Sequence, residues 1–261
     1  MKHISSRDNP DYRDLLRVMA GKRRAGERGA SHDIALEGVH LCESWLSARG
    51  QPWMAFFDEE RLGKPELATL QAKVDDSRVR ACSPALMKAA GQTVHGQGVI
   101  FVCAAPQPAV PTRVTQNALW LDRVQDPGNM GTLIRTAAAA GIKQVYASEG
   151  CVSAWSPKVL RSAQGAHFAL EIYENLDLCA LIERLDIPLL ATTLERSTSL
   201  YEIDLPAHVA WLVGNEGQGV SDMLLERADR RVHIPQECEV ESLNVAIAAA
   251  ICLFEQRRQH A

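Results

Sequence analysis

Three segments in the C-terminal half of the chain place polar or glycine residues directly after apolar runs that predict strands. Their sequences are DRVQDPGNMGTLIRTAAAAGI at 122–142, WLVGNEGQGVSD at 211–222 and HIPQECEVESLNVAIAAA at 233–250. In open parallel sheets, ligands bind outside the carboxyl ends of the strands. The sequence therefore predicts that a binding site is built from these three segments.

The first segment places a guanidinium and a glycine on one helix face. Turn residues beginning at Asp126 predict a helix that has Asn129 as its N-cap and ends at Gly141. Gly131 lies one turn before Arg135, which leaves space for a ligand or another backbone to approach the guanidinium. The alternative is an Arg135 side chain that merely extends into solvent.

The second segment carries three glycines within six residues, at Gly214, Gly217 and Gly219. This density predicts a backbone that wraps closely around a ligand and offers its N–H groups as donors. No Lys-Ser/Thr pair ends the loop, and the glycine spacing differs from the dinucleotide fingerprint, so neither common phosphate loop fits. Glu216 would also repel a bare phosphate. An ordinary glycine turn is the alternative.

The third segment enters an Ala-rich helix through the triplet Ser242, Leu243 and Asn244. Ser242 is predicted to be the N-cap of that helix. Asn244 would then lie one step inside the helix, where Asn has a poor propensity, so its amide is expected to serve a purpose beyond helix formation. Each of the two polar residues, taken alone, also fits a purely structural role.

The elements that must position these segments alternate between helix and strand. Before a proline-rich connector at 104–115, helices are predicted at 37–49, 65–73 and 84–90, and strands at 53–57, 79–82 and 98–103. After it, strands are predicted at 118–124, 143–148, 168–173, 188–193, 208–213 and 230–235, and helices at about 129–140, 157–163, 177–185, 221–227 and 242–258. This order predicts an α/β fold with a mostly parallel sheet covered on both faces.

Composition narrows the class of protein. The chain has 261 residues, 46% of them hydrophobic, which is enough to build a sizeable core. No apolar run reaches the roughly 18 to 20 residues of a membrane span, and the N-terminus MKHISSRDNP has no apolar signal core, so we expect a cytoplasmic protein. The seven cysteines form no CxxC pair, which argues against a zinc site or a disulfide framework.

Charge is distributed unevenly along the chain. Residues 1–110 carry a net charge of +2 and residues 111–261 a net charge of -6, which indicates different partners for the two halves. The cluster GKRRAGERG at 21–29 could bind nucleic acid phosphates. A solvated loop without a partner explains the same cluster equally well.

The three segments, in this order and at these separations, resemble the signature motifs of the SpoU (TrmH-type) RNA ribose 2′-O-methyltransferases of the SPOUT superfamily. The matching residues are Asn129, Gly131 and Arg135, then Gly214, Glu216, Gly217, Gly219 and Ser221, then Ile234, Pro235, Ser242, Leu243, Asn244 and Val245. The segment SPKVLRSAQGAHF at 156–168 is similar to the family's inter-motif segment. Upstream, SSRDNPDYRDLLRV and IALEGVHLCESWL are similar to the small substrate-binding domain of many ribosomal RNA members.

The resemblance implies the domain organisation and the partners. Residues 1–105 would form an N-terminal α/β domain that binds the RNA substrate, 106–115 a linker, and 116–261 the methyltransferase domain. That C-terminal domain would be tied in a deep trefoil knot, bind S-adenosylmethionine in the knot and act as a homodimer. The family commonly has glycine where this chain has the acidic loop Gln236-Glu237-Cys238-Glu239, and a reactive role for Cys238 is not expected.

The resemblance also implies roles for individual residues. The cofactor would lie among Thr193, Gly214, Ile234 and Leu243. The ribose hydroxyl and its phosphate would be surrounded by Asn129, Arg135, Glu216, Ser242 and Asn244. A guanidinium almost never loses its proton, so we interpret Arg135 as holding an RNA phosphate and stabilising the developing alkoxide, while the phosphate or a water accepts the proton.

The expected function is S-adenosylmethionine-dependent methylation of a ribose 2′-hydroxyl in structured RNA. Ribosomal RNA is the preferred substrate because of the separate N-terminal domain, and transfer RNA is the alternative. A noncatalytic RNA-binding or ribosome-assembly factor on the same scaffold is a second alternative, against which the intact polar residues argue. A nucleotide-dependent oxidoreductase is disfavoured because the chain lacks the glycine fingerprint of that class.

Overall fold

The computed structural model describes residues 1–21, 33–93, 96–237 and 242–261. Their contacts divide the chain into two units: Met1–Gln107 with Trp155–Phe168, and Pro108–Ala154 with Ala169–Ala261. Most of the basic cluster at 21–29 lies outside the described residues, and so do Cys238 and Glu239 of the acidic loop.

Helices and strands alternate along the described chain. In the N-terminal part they are β1 (Lys2–Ile4), α1 (Pro10–Met19), β2 (Asp33–Glu37), α2 (Val39–Arg49), β3 (Met54–Asp58), α3 (Pro65–Ala72), β4 (Val79–Cys82), α4 (Pro84–Ala90) and β5 (Val99–Ala104). They continue as β6 (Ala118–Leu121), α5 (Pro127–Ala140), β7 (Gln144–Ser148), α6 (Pro157–Ala163), β8 (Glu171–Leu176), α7 (Leu178–Leu181), β9 (Leu189–Thr192), β10 (Thr198–Ser199), β11 (Ala210–Val213), α8 (Asp222–Arg227), β12 (Arg230–His233) and α9 (Val245–Gln259). None of these helices is long and apolar enough to cross a membrane.

The first unit is built on a five-stranded mixed sheet in the order β1-β4-β3-β5-β2. Strands β1, β4 and β3 are mutually parallel, whereas β5 runs antiparallel to both of its neighbours. Helix α1 packs its apolar face on the core of this unit, and the buried Tyr12 hydroxyl donates a hydrogen bond to the Leu86 carbonyl at 2.7 Å. The unit is therefore an α/β body with its own core.

Residues Trp155–Phe168 belong by packing to the first unit, although they follow β7 in the sequence. Helix α6 packs against β2, and Phe168 meets Trp45 edge to face with ring centroids 6.0 Å apart. The bounds 1–105 and 116–261 do not anticipate this discontinuity, because sequence order gives no sign of it. The break at Gln107 lies inside the predicted connector.

The second unit contains a seven-stranded sheet in the order β10-β12-β9-β11-β6-β7-β8. Every neighbouring pair in this described sheet is parallel. All four residues of β6 and of β11 are buried, as expected for strands covered on both faces. The predicted mostly parallel sheet is confirmed.

Several predicted elements differ from their observed bounds, and two of them show a local cause. The helix predicted at 37–49 starts later, because Glu37 is the last residue of β2 and Gly38 turns the chain with φ = +105°. The strand predicted at 168–173 is also shifted, because Ala166–Ala169 form a short 3-10 helix before β8 begins.

Candidate active site

The carboxyl ends of four neighbouring parallel strands, β12, β9, β11 and β6, define one edge of the second sheet. Ile234 follows β12, Thr193 follows β9 and Gly214 follows β11, each by one residue. Three of the four predicted cofactor residues therefore lie along one edge, where open α/β sheets bind their ligands. The fourth, Leu243, is half-buried and lies two residues before α9.

Residues 214–221, here called the glycine loop, form a tight turn at this edge. A side chain at Gly214 would collide with the backbone of Gly219 and Val220, so the position admits only glycine. The backbone N–H and C=O of Asn215 pair with the C=O and N–H of Gly219, at 3.0 and 2.9 Å. The Asn215 side chain accepts from the N–H groups of residues 217 and 218. The loop is therefore closed on itself by its own hydrogen bonds.

Glu216 extends from the glycine loop to the start of α5. Its carboxylate accepts hydrogen bonds from the N–H groups of Gln125 at 3.1 Å and Asp126 at 3.0 Å, and from the Asn129 side-chain amide at 3.1 Å. Desolvation raises the pKa of Glu216, but the hydrogen bonds from Asp126, Asn129 and Gln125 outweigh it and hold the pKa below its ordinary value. The group is a charged hydrogen-bond acceptor and a poor base.

A second hydrogen bond connects Asn129 to Asn244, with Asn244 Nδ2 donating to Asn129 Oδ1 at 2.9 Å. Glu216, Asn129 and Asn244 thus form a continuous series of hydrogen bonds, here called the amide chain. Because the Glu216 carboxylate can only accept, the Asn129 amide must turn its NH₂ toward it and its oxygen toward Asn244. Asn244 must then donate, which leaves its own oxygen to accept. One carboxylate fixes the orientation of both amides.

Asn244 is the N-cap of α9, and its oxygen accepts from the N–H groups of Ala246 at 2.9 Å and Ile247 at 3.3 Å. The prediction that Ser242 caps this helix, with Asn244 inside it, is wrong. Ser242 is exposed and lies two residues before the cap. The poor helix propensity of Asn therefore does not destabilise α9, because Asn is a favoured residue at an N-cap.

The N-cap predicted for α5 is also wrong. Asp126 is the N-cap, and its carboxylate accepts from the Asn129 N–H at 2.8 Å. Asn129 lies in the first turn, so its side chain is free to join the amide chain. The predicted end of this helix at Gly141 is confirmed, since Gly141 closes it in the left-handed conformation with φ = +88°.

Arg135 lies on the exposed face of α5, six residues after Asn129. Among the described residues, none forms a hydrogen bond or an ion pair with its guanidinium. Gly131, one turn earlier, is buried. An exposed guanidinium without a protein partner has all five N–H donors available for an anion.

The structure thus brings some predicted site residues together and leaves others apart. Asn129, Glu216 and Asn244 are joined by hydrogen bonds, while the described side chains of Arg135 and Ser242 are exposed and form no hydrogen bond with the amide chain. The backbone N–H of Thr193 donates a hydrogen bond to the Val232 carbonyl at 3.0 Å.

Two residues that pattern reasoning did not select also shape this edge. Asp122, directly after β6, is buried and bonded to the end of the glycine loop, and Asn215 closes the loop from within. The sequence signal that could have indicated Asp122 is its position immediately after four apolar strand residues. A carboxylate buried there needs hydrogen-bond partners, because an isolated charge is costly to bury.

Comparison with known proteins connects this geometry to a family. The model of the SpoU rRNA Methylase family matches residues 116–254. Over 260 residues, the chain is 34% identical to the 23S rRNA (guanosine(2553)-2′-O)-methyltransferase RlmP of Bacillus subtilis, with 98% of this chain and all of that protein covered. It is 36% identical over 144 residues to the 23S rRNA (guanosine-2′-O-)-methyltransferase RlmB of Bordetella pertussis, covering 54% of this chain and 59% of that protein.

A solved structure extends the likeness to the whole fold. The AdoMet-bound rRNA methyltransferase from Sinorhizobium meliloti superposes with a TM-score of 0.86 at 27% identity, and the match covers 100% of this chain and 98% of that one. The family model and the full-length relative agree with the motifs on the carboxyl edge of the sheet. The chain therefore belongs to the SpoU rRNA methylase family.

Proposed function

We propose that this protein transfers the methyl group of S-adenosylmethionine to a ribose 2′-hydroxyl of ribosomal RNA. The observation that carries the proposal is the amide chain of Glu216, Asn129 and Asn244, which lies at the ligand-binding edge of a parallel sheet. The names of the relatives, which are rRNA 2′-O-methyltransferases, support the same substrate class.

The residues at the carboxyl edge fit the cofactor. Thr193, Ile234 and Leu243 are only half-buried, and the neighbouring Leu194 is 54% exposed, so apolar surface is left open for a ligand. Gly214 keeps the backbone free of a side chain at the same edge. S-adenosylmethionine supplies a methyl group that is already activated by a sulfonium. The protein therefore has to orient the methyl group and the ribose hydroxyl, and it needs no covalent nucleophile. We assign cofactor binding to Thr193, Gly214, Ile234 and Leu243.

The amide chain serves to orient the hydroxyl group. Asn129 and Asn244 are held in fixed orientations by Glu216 and by the α9 N-cap, so little reorganisation is needed when the substrate binds. Well-oriented reactants gain about 7 to 11 kcal/mol of barrier reduction in favourable cases. Glu216 acts by positioning these amides, because its lowered pKa makes it a weak proton acceptor.

Arg135 and Ser242 complete the proposed substrate contacts. The exposed Arg135 guanidinium holds an RNA phosphate and stabilises the negative charge that develops on the ribose oxygen. The phosphate or a water accepts the hydroxyl proton, because a guanidinium does not release its own. The exposed Ser242 hydroxyl is available to the same substrate.

The family relationship supports the proposed assembly and the proposed roles of the domains. We assign RNA substrate binding to residues 1–105, a linker to 106–115 and methyl transfer to 116–261, and we place the protein in the cytoplasm. The protein acts as a homodimer, which is supported by the exposed apolar side chains of Ile247 and Phe254 on α9. The deep trefoil knot expected of the C-terminal domain belongs to the same proposal.

A transfer assay with purified components tests the function. Ribosomal RNA extracted from a strain that lacks the gene should accept a radiolabelled methyl group, and alkaline digestion should yield a dinucleotide resistant at the modified ribose. Transfer to tRNA with none to rRNA would favour the tRNA alternative. Absence of S-adenosylmethionine binding in a calorimetric titration would favour the noncatalytic RNA-binding alternative.

A further inference from the structure

Asp122 is a buried carboxylate that, in the described part of the chain, forms no hydrogen bond with the amide chain. It follows β6 directly and is only 4% exposed. Its Oδ2 accepts a hydrogen bond from the Ser221 N–H at 2.8 Å, and its Oδ1 lies 3.2 Å from Arg123 Nε. A charge this buried has to be compensated, and these two contacts do so together with the Ser148 hydroxyl, which donates to Asp122 Oδ1 at 3.5 Å. Asp122 therefore ties the end of β6 to the end of the glycine loop.

The next residue, Arg123, adopts a backbone conformation that disfavours any side chain. Its φ of +55° lies in the left-handed region that glycine prefers. In this conformation the Arg123 carbonyl accepts from Asn215 Nδ2 at 2.8 Å. The Arg123 guanidinium donates to Gln218 Oε1 at 2.9 Å. The strained residue thus contacts the glycine loop through its backbone and through its side chain.

The glycine loop is consequently anchored at both ends. Asn215 is bonded near its start and Ser221 at its end, and Glu216 lies between them. The N–H groups of Gln125 and Asp126 then fix the Glu216 carboxylate itself. Any change that frees one end of the loop should displace Glu216 and, with it, the orientation of the two amides.

We propose that Asp122 is a positioning residue for methyl transfer: by anchoring Ser221 it holds the glycine loop, and through the loop it holds Glu216 and the amide chain. The inference rests on the proposed function and assigns to it a buried residue that lies outside the proposed cofactor and substrate contacts. Gly214 lies in the same loop, so cofactor affinity depends on the same anchor. A purely structural Asp122 would change stability alone.

Replacing Asp122 by Asn tests the anchor. The variant Asp122→Asn keeps the side-chain volume but turns one acceptor into a donor. The new NH₂ group must face either the Ser221 N–H or the side where the Arg123 guanidinium and the Ser148 hydroxyl now donate. We expect kcat to fall by about tenfold or more and the dissociation constant for S-adenosylmethionine to rise several-fold, because a loop contact to a charged group is lost. The KM for RNA should stay close to that of the wild type, since the RNA-contacting side chains are unchanged.

Asp229→Asn is the control for the loss of a carboxylate that accepts from a backbone N–H away from the glycine loop, at an exposed position. The Asp229 carboxylate also accepts from a backbone N–H, that of Leu189 at 2.7 Å, but at the amino end of β9, on the opposite edge of the sheet. We expect this variant to lower the melting temperature while kcat and the S-adenosylmethionine affinity stay at wild-type values. An Asp122→Asn variant that behaves like Asp229→Asn would overturn the proposal.

Ser221→Pro removes the same hydrogen bond from the other side. The Ser221 φ of -64° suits proline, which deletes the N–H donor without replacing the Asp122 carboxylate. If Asp122→Asn does not fold, the Ser221→Pro variant tests the anchor in its place. Ser221→Pro should show the same loss of kcat and cofactor affinity. In a variant that carries both substitutions, the losses of kcat and of cofactor affinity should not add, because both substitutions act on the same hydrogen bond between Ser221 and Asp122. Wild-type kcat and cofactor affinity in a folded Ser221→Pro protein would contradict the proposal.

The calorimetric measurement separates this inference from the proposed function. If the wild-type protein binds S-adenosylmethionine but methylates no RNA, the function fails, and the affinities of the variants still test the anchor. If the wild type methylates rRNA and the variants match it in every readout, the function stands and the positioning role of Asp122 is refuted.

Discussion

At the scale of single residues, Glu216 determines how the site is organised. The resemblance of three segments to the family's motifs predicted Asn129, Glu216 and Asn244 as members of one site. Sequence could not predict the direction of their hydrogen bonds, because that depends on the Glu216 carboxylate meeting the start of α5. Asp122 was missed because its position after four apolar residues indicates only a carboxylate at a strand end, and the tertiary contacts show that it is buried and bonded to the glycine loop.

Glu216→Gln tests the control of amide orientation. In the wild type, the Gln125 and Asp126 N–H groups and the Asn129 amide all donate to the Glu216 carboxylate. A glutamine replaces one acceptor oxygen by an NH₂ donor, so the orientation of the Asn129 amide is no longer fixed. We expect kcat to fall by about tenfold or more, since unsatisfied polar groups cost roughly 1 to 3 kcal/mol. Steady-state transfer to rRNA measures the effect. Glu226→Gln on the exposed face of α8 is the control, and equal activity of the two variants would refute the role of Glu216.

Arg135→Lys tests the need for a guanidinium. Lysine keeps the charge but loses the planar, bidentate geometry that suits a phosphate. We expect kcat/KM for RNA to fall by about tenfold or more while the S-adenosylmethionine affinity is unchanged, because a bidentate charged contact is weakened to a point charge. Near-normal turnover of Arg135→Lys would show that a positive charge alone is sufficient.

At the scale of elements, the sequence predicted the α/β alternation after residue 37 well, but it missed β1, α1 and β2 and placed the helix starts poorly. Continuous apolar runs such as those of β6 and β11 are recognisable because both faces of the sheet are buried. The N-caps of α5 and α9 were misassigned because several capping residues stand close together at each start, and only the folded loop selects among them. The shortest strand, β10, has two residues and no readable pattern.

Asn244→Ser separates helix capping from the amide chain. A serine hydroxyl can cap α9, so the melting temperature should stay near the wild-type value. Serine lacks the amide NH₂ that donates to Asn129. We therefore expect kcat to fall by about tenfold, because one hydrogen bond that orients Asn129 is lost. Asn244→Ala should lower kcat and also reduce stability by about 1 kcal/mol. Thermal melts and transfer assays on both variants are needed, and full activity of Asn244→Ser would exclude a role for the amide.

At the scale of the whole molecule, the two units are not consecutive in sequence. Residues Trp155–Phe168 leave the second unit and complete the first, so the segment between the first two motifs contributes to a different body from the motifs themselves. Hydrophobic periodicity predicted α6 correctly at 157–163 but could not predict which body it joins. That choice depends on long-range packing against β2.

An exposed apolar face of α9 supports the proposed homodimer. Ile247 is 52% exposed and Phe254 46%, one on each half of the helix. Light scattering after size-exclusion chromatography should give twice the mass of the chain for the wild type. Phe254→Asp should shift the protein toward the monomer, because a buried charge opposes association. A wild-type mass equal to one chain would refute the proposed homodimer.

The most direct test of the central claim is a transcriptome-wide map of ribose 2′-O-methylation in a strain that lacks the gene, compared with its parent. We predict that a methylated position in ribosomal RNA disappears, that the wild-type gene restores it, and that the Glu216→Gln gene does not. An unchanged ribosomal RNA map, or a position lost only from transfer RNA, would contradict the proposed function.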